Sequence, residues 1–208
     1  MLFSVPDGME EFDMQPNGIR MVPALALGLA ILSTGAPAGA AITILGGGLA
    51  RDCYLSAETK RDTGNALATC DRALSEEPLS RRDRAATLVN RGIIHMQARD
   101  LDRAIADYDL AIRSDPRIGE AHVNRGIALL HRGGRDQEAI AALSKGLAMN
   151  PSRPEVAYYS RAVAHELAGN TRAAYEDYQA AAALKPDWAD PVEQLKRFSV
   201  ERKPVGRG

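Results

Sequence analysis

The stretch LVNRGIIHMQARDLDRAIADYDLAIRSDP, Leu88 to Pro116, decides the fold because the chain repeats it. HVNRGIALLHRGGRDQEAIAALSKGLAMNP, His122 to Pro151, fits beneath it with one residue inserted in the turn, and YYSRAVAHELAGNTRAAYEDYQAAAALKP, Tyr158 to Pro186, is a third copy. A small residue recurs early, at Gly92, Gly126 and Ala162, followed by Ala104, Ala139 and Ala174. A larger residue comes next, at Tyr108, Leu143 and Tyr178, then Ala111, Gly146 and Ala181, and a closing proline at 116, 151 and 186. The period is 34 to 36 residues, within the range of helical repeat arrays.

Each copy holds two stretches with apolar residues at three- and four-residue spacing, the mark of amphipathic helices. The turns ARD, GGRD and AGN supply Gly or an N-cap candidate (Asp100, Asp136, Asn170), and the prolines stop the second helices. Small residues at the facing positions let two helix backbones approach closely. One such hairpin cannot cover its own apolar face, so the copies are predicted to stack.

The pattern of small, aromatic, Ala and Pro positions resembles the tetratricopeptide repeat family, although the usual first-helix Trp is absent. The resemblance implies an all-α, right-handed superhelical α-solenoid of helix-turn-helix repeats. It places repeats at 84–117, 118–152 and 154–187. The amphipathic segment 188–199 follows as a capping helix with Trp188, Val192, Leu195 and Phe198 turned inward, and 200–208 is expected to be a flexible tail. Carried back toward the amino terminus, the frame yields a degenerate first repeat at 50–80, where Ala66, Cys70, Ala73 and Pro78 stand for Ala104, Tyr108, Ala111 and Pro116.

Cys53 and Cys70 are the only cysteines. In the family's geometry they become neighbours across the first hairpin, and a structural disulfide is the expected reading. Zinc binding would need about four ligands and no His lies nearby in sequence; a redox centre would favour Cys-x-x-Cys, which is absent. A reduced buried pair fits a cytosolic chain.

The compartment is read from the amino terminus. No charged residue occurs from Met21 to Ala50. Arg20 precedes the apolar run MVPALALGLAIL, and STGAPAGAA offers Ala38-Gly39-Ala40 for cleavage after Ala40. Residues 21–40 are therefore expected to be a secretory signal, with 41–49 a linker. The uncharged run is also long enough for an uncleaved membrane anchor. Residues 1–20 are acidic and unlike a signal's leading region, so they are expected to be disordered or a mis-assigned extension, with Met14 or Met21 as alternative starts. Either route puts the repeats outside the cytoplasm, where disulfides persist. A bacterial periplasm is the expected home, with an inner-membrane anchored form as the alternative.

Composition excludes several functions. With 26 basic and 27 acidic residues among 208, the net charge is -1, which gives no field for a nucleic acid. Catalytic residues, cofactor and metal are all expected to be none. HELAG at His165 lacks the second His of a zinc protease, the glycine runs lack a following Lys-Ser or Lys-Thr, and His95 and His165 fall where a core aromatic usually packs. Arg91, Arg125 and Arg161 recur one residue before the small position. They suit either an anion-binding row or ion pairs with acids such as Asp107, Asp109, Glu176 and Asp177.

In the family, the first helices line a concave face that receives peptides. The resemblance places there Val89, Asn90, Ile93 and Gln97, then Val123, Asn124, Ile127 and His131, then Tyr159, Ser160, Val163 and Leu167. Asn90, Asn124 and Ser160 form either a ladder of groups able to bond a peptide backbone or residues that merely face water. The expected function is a non-enzymatic adaptor for a protein or peptide partner. A membrane-anchored subunit of an envelope assembly or secretion machine is the alternative, and a thiol oxidoreductase using Cys53 and Cys70 a third reading.

Overall fold

In a computed structural model of the chain, residues 19–23, 41–42, 48–59 and 63–202 are described. Most of the expected signal, 24–40, and most of the amino-terminal extension lie outside them, as does the tail beyond Arg202. The described chain forms α1 (Leu49–Thr59), α2 (Thr63–Glu76), α3 (Arg81–Gln97), α4 (Leu101–Ser114), α5 (Gly119–Arg132), α6 (Asp136–Leu147), α7 (Pro154–Leu167), α8 (Thr171–Leu184) and α9 (Ala189–Leu195). Two short strands, β1 (Ile19–Pro23) and β2 (Phe198–Arg202), pair antiparallel as a ribbon beside the stack.

The helices pack as successive hairpins: α1 on α2, α3 on α4, α5 on α6, α7 on α8. Each second helix also packs on the first helix of the next hairpin, and α1, α3, α5 and α7 touch in sequence to form one face. The helices form a solenoid whose main core runs from Cys53 to Ala164, with smaller separate clusters at Ala50, Ala73 and Ala86 and, inside the last hairpin, at Ala162, Ala174 and Tyr178.

The repeated small and large residues meet inside each hairpin. A Cβ built on Gly92 would lie 2.5 Å from Tyr108 Cε1, and one on Gly126 would lie 2.6 Å from Leu143 Cγ. Tyr108 is 1% exposed, and Leu143, Tyr178 and Ala162 are fully buried. The small residue exists to admit the ring or branch opposite it.

Local chemistry sets the helix ends. Ser80 caps α3, its hydroxyl accepting from the Asp83 N–H at 3.1 Å, so α3 begins three residues before the expected repeat boundary at 84. The sequence Ser-x-x-Asp carries that signal. Asp100 caps α4, accepting from the Arg103 N–H at 3.2 Å. The other two expected caps differ: Asp136 is the first residue of α6 behind Arg135, and Asn170 makes no side-chain cap bond but faces His165 Nδ1 at 3.3 Å. The turn after α3 puts Arg99 at φ 63°, where the third repeat uses Gly169 at φ 77°. In both, the next N–H reaches back to a histidine carbonyl, Asp100 to His95 at 2.9 Å and Asn170 to His165 at 2.8 Å, a left-handed helix stop that glycine adopts without steric cost.

At the far end the expected capping helix is shorter than 188–199. It ends at Leu195, Phe198 begins β2, and residues 200–202 of the expected tail are in that strand. Trp188 stacks on Tyr159 with ring centroids 4.8 Å apart, while Leu195 and Phe198 pack around Tyr178. Val192 faces outward at 39% exposure, and Pro191 takes the buried position instead. Trp188 precedes this seven-residue helix and Phe198 follows it, so one helical face does not set all four side chains.

Candidate functional site

The arginine row is a set of staples between repeats. Arg91 donates to both Asp107 oxygens, at 2.9 and 2.5 Å, and to Asp71 of the preceding hairpin at 2.6 Å. Arg125 donates to Glu138 and, in the preceding hairpin, to Asp109, both at 2.7 Å. Arg161 grips Asp177 at 2.7 and 2.8 Å and reaches Ser144 of the preceding hairpin at 3.0 Å. Of the acids expected from sequence, Glu176 is the exception: it turns to Arg172 on its own helix. Arg91 and Arg161 pair bidentately with one carboxylate and Arg125 bridges two, so the row serves ion pairs within the stack rather than binding of a free anion. The Asp107 carboxylate holds Arg91 above its ordinary pKa.

Histidines belong to the same layer. His95 and His165 lie 3.8 and 3.9 Å from Asp107 and Asp177. Burial lowers the pKa of all four histidines, disfavouring their charged form. Among the described residues no group of three or more His, Cys, Asp or Glu could hold a metal ion.

The first hairpin replaces its small–large contact with a covalent one. Cys53 and Cys70 are joined in the structure, their Cα atoms 4.9 Å apart and 17 residues apart in sequence. Gly126 likewise precedes Leu143 by 17. Cys70 holds the large position and Cys53 the small one. Glu77 adds a second tie, accepting from the Leu49 and Ala50 N–H groups that begin α1, where a carboxylate is favoured.

The twelve residues assigned to the peptide-binding face do lie on α3, α5 and α7, but most are not open. Val89, Asn90, Ile93, Val123, Asn124, Ile127 and Ser160 are buried, Gln97, His131, Tyr159 and Val163 are half-buried, and Leu167 is 40% exposed. The chain itself covers both ends. Asn90 is engaged by Ile42, Gln97 donates to the Ala57 carbonyl at 2.8 Å, and Tyr159 lies under Trp188. The Asn90, Asn124, Ser160 ladder is therefore not a row facing water. At the equivalent last-turn positions of the first helices, Leu167 is exposed, His131 half-buried and Gln97 tied to Ala57. Sequence spacing identified the helix face but not its covering, because contacts such as Ile42 to Asn90 span 48 residues and leave no local periodicity.

Successive helical hairpins, a repeated small–large contact and an arginine staple at every junction define an α-solenoid repeat domain. Residues 89–154 match the family model described as Tetratricopeptide repeat. Over that segment the chain is similar to tetratricopeptide repeat proteins, and its helical stack has their solenoid fold. No curated protein matches it. Among solved structures it is similar to PilW, described as a widely conserved type IV pilus biogenesis factor, at 23% identity and TM-score 0.62 over 70% of this chain and 66% of that one. MamA from Desulfovibrio magneticus RS-1 matches at 20% identity and TM-score 0.59, over 72% and 82%. The first TPR of Spaghetti (RPAP3), bound to an HSP90 peptide, matches at 22% and TM-score 0.52, over 56% and 93%.

Proposed function

We propose that this protein is a non-enzymatic scaffold that binds an extended polypeptide segment along the face formed by α3, α5 and α7. One observation carries the reading: the Asn90 side-chain amide already holds a main chain by both of its groups, accepting from Ile42 N–H at 2.9 Å and donating to Ile42 C=O at 3.0 Å. An amide that pairs with backbone in this way recognises extended polypeptide whatever its side chains. His131, its charged form disfavoured by burial, and apolar Leu167 suit an uncharged, apolar segment. The neighbour bound to an HSP90 peptide and the pilus biogenesis factor support a protein partner.

The cell envelope is the proposed location, reached by a signal cleaved after Ala40. The bridge between Cys53 and Cys70 supports it, since such bonds persist outside reducing compartments. Both cysteines are fully buried, which suits a structural bond better than redox turnover. No helix among the described residues is long and apolar enough to cross a membrane; an anchored subunit of an envelope machine would use Met21 to Ala41 or a nearby window as its span, most of which lies outside the described residues. Edman sequencing of the exported chain separates the two, with Ala41 expected first.

Placing aspartate at both His131 and Leu167 tests the groove. Charges there are expected to weaken partner binding at least about tenfold, about 1.4 kcal/mol, with helicity unchanged, whereas Arg172→Asp on the exposed side of α8 leaves affinity alone. Equal affinities in all three proteins would reject the groove.

A further inference from the structure

The groove's first subsite is occupied by the chain's own Ala41–Ile42. This occupancy is a tertiary contact, since Ile42 and Asn90 are 48 residues apart in sequence. Asn90 is fully buried, so its amide has one orientation, and both its groups are used on one residue's backbone. That two-point pairing is what an adjacent strand would offer. The side chains agree with the backbone. Ala41 and Ile42 pack on the core cluster containing Val89 and Ile93, and Ile42 also rests against Ala50 and Ala86. Small alanines at 50 and 86 in that cluster leave room for the branched side chain.

We propose that Ala41–Ile42 is an intramolecular pseudo-ligand: it fills the Asn90 subsite, and a partner gains that subsite only by displacing it. The proposal rests on the groove reading above and names its specificity. The competing segment is extended and uncharged, with a small residue followed by a β-branched one, because those side chains fit where Ala41 and Ile42 now sit. A tethered competitor is present at an effective concentration that a free segment must exceed. The apparent affinity of a partner is reduced by the fraction of time the subsite is filled.

The test uses the full chain and a fluorescein-labelled peptide, Ala-Ala-Ile-Thr, with blocked ends. Hydrogen exchange at the Ile42 amide reads occupancy directly and should be slowed at least about tenfold relative to the unstructured rate. Ile42→Pro removes the N–H that Asn90 accepts while leaving every helix intact. It should bind the peptide about tenfold tighter than the unaltered chain, and adding Asn90→Ala should abolish that gain with helicity retained. Free exchange at Ile42 overturns the proposal. Equal peptide affinity of the unaltered and Ile42→Pro chains overturns it too, while leaving the groove reading standing; no binding by either chain rejects both.

Discussion

Replacing Tyr108 by Ala is expected to destabilise the stack by about 3–5 kcal/mol, the cost of deleting a buried aromatic ring. For a described domain of this size that lowers the melting temperature on the order of 10 °C. The ring is 1% exposed, and its face lies against the backbone of Gly92, where an added Cβ would come within 2.5 Å of it. The cavity cannot collapse easily, because Gly92 brings no side chain to fill it. Burial also raises the Tyr108 phenol well above its ordinary pKa, disfavouring the ionised form. Tyr108 further sits beside Asp107, the anchor of the Arg91 staple, and its loss should loosen the junction with the first hairpin as well. Urea denaturation of the variant and of the unaltered chain checks this. A loss below about 1 kcal/mol, the range of ordinary surface changes, would mean that the small–large contact does not organise the hairpin.

Removing the bridge by Cys53→Ser with Cys70→Ser is expected to cost about 3 kcal/mol for a loop of this length. The effect should be local first. α1 has 11 residues, and among the described residues no earlier helix covers it, so its attachment depends on α2, α3, the Glu77 tie and the bridge. Exchange of the α1 amides should therefore accelerate before those of α5 change, as expected of a one-dimensional array that loses its end unit first. Reducing the native protein should reproduce the double variant. If both thiols label freely in native exported protein, the first hairpin is not pinned and the location outside the cytoplasm loses its support.

The stack was legible because its signal is repeated. Gly92 alone is one glycine in a helix, but Gly92, Gly126 and Ala162 set opposite Tyr108, Leu143 and Tyr178 amount to a packing rule. The arginine staples were half legible: position and partner type could be read, yet whether Arg161 reaches Asp177 or Glu176 depends on which face of α8 turns inward, and adjacent residues differ there by about 100°. The twelve residues assigned to the groove fall on the first helices as expected, but most of them are buried or half-buried. Nothing local in Ala41–Ile42 announces that it lies on Asn90, and nothing in Trp188 announces that it covers Tyr159. The pairing of 19–23 with 198–202 is equally long-range and has no hairpin turn to betray it.

The central claim is that polypeptide binds on the face of the first helices. Its most direct test is a photo-crosslinking amino acid placed at His131 in one protein and at Arg172 in another, each irradiated in intact cells. The account predicts a crosslinked partner from His131, reduced when the Ala-Ala-Ile-Thr peptide is added in excess to the isolated complex, and none from Arg172. Adducts from Arg172 but not from His131 would contradict it.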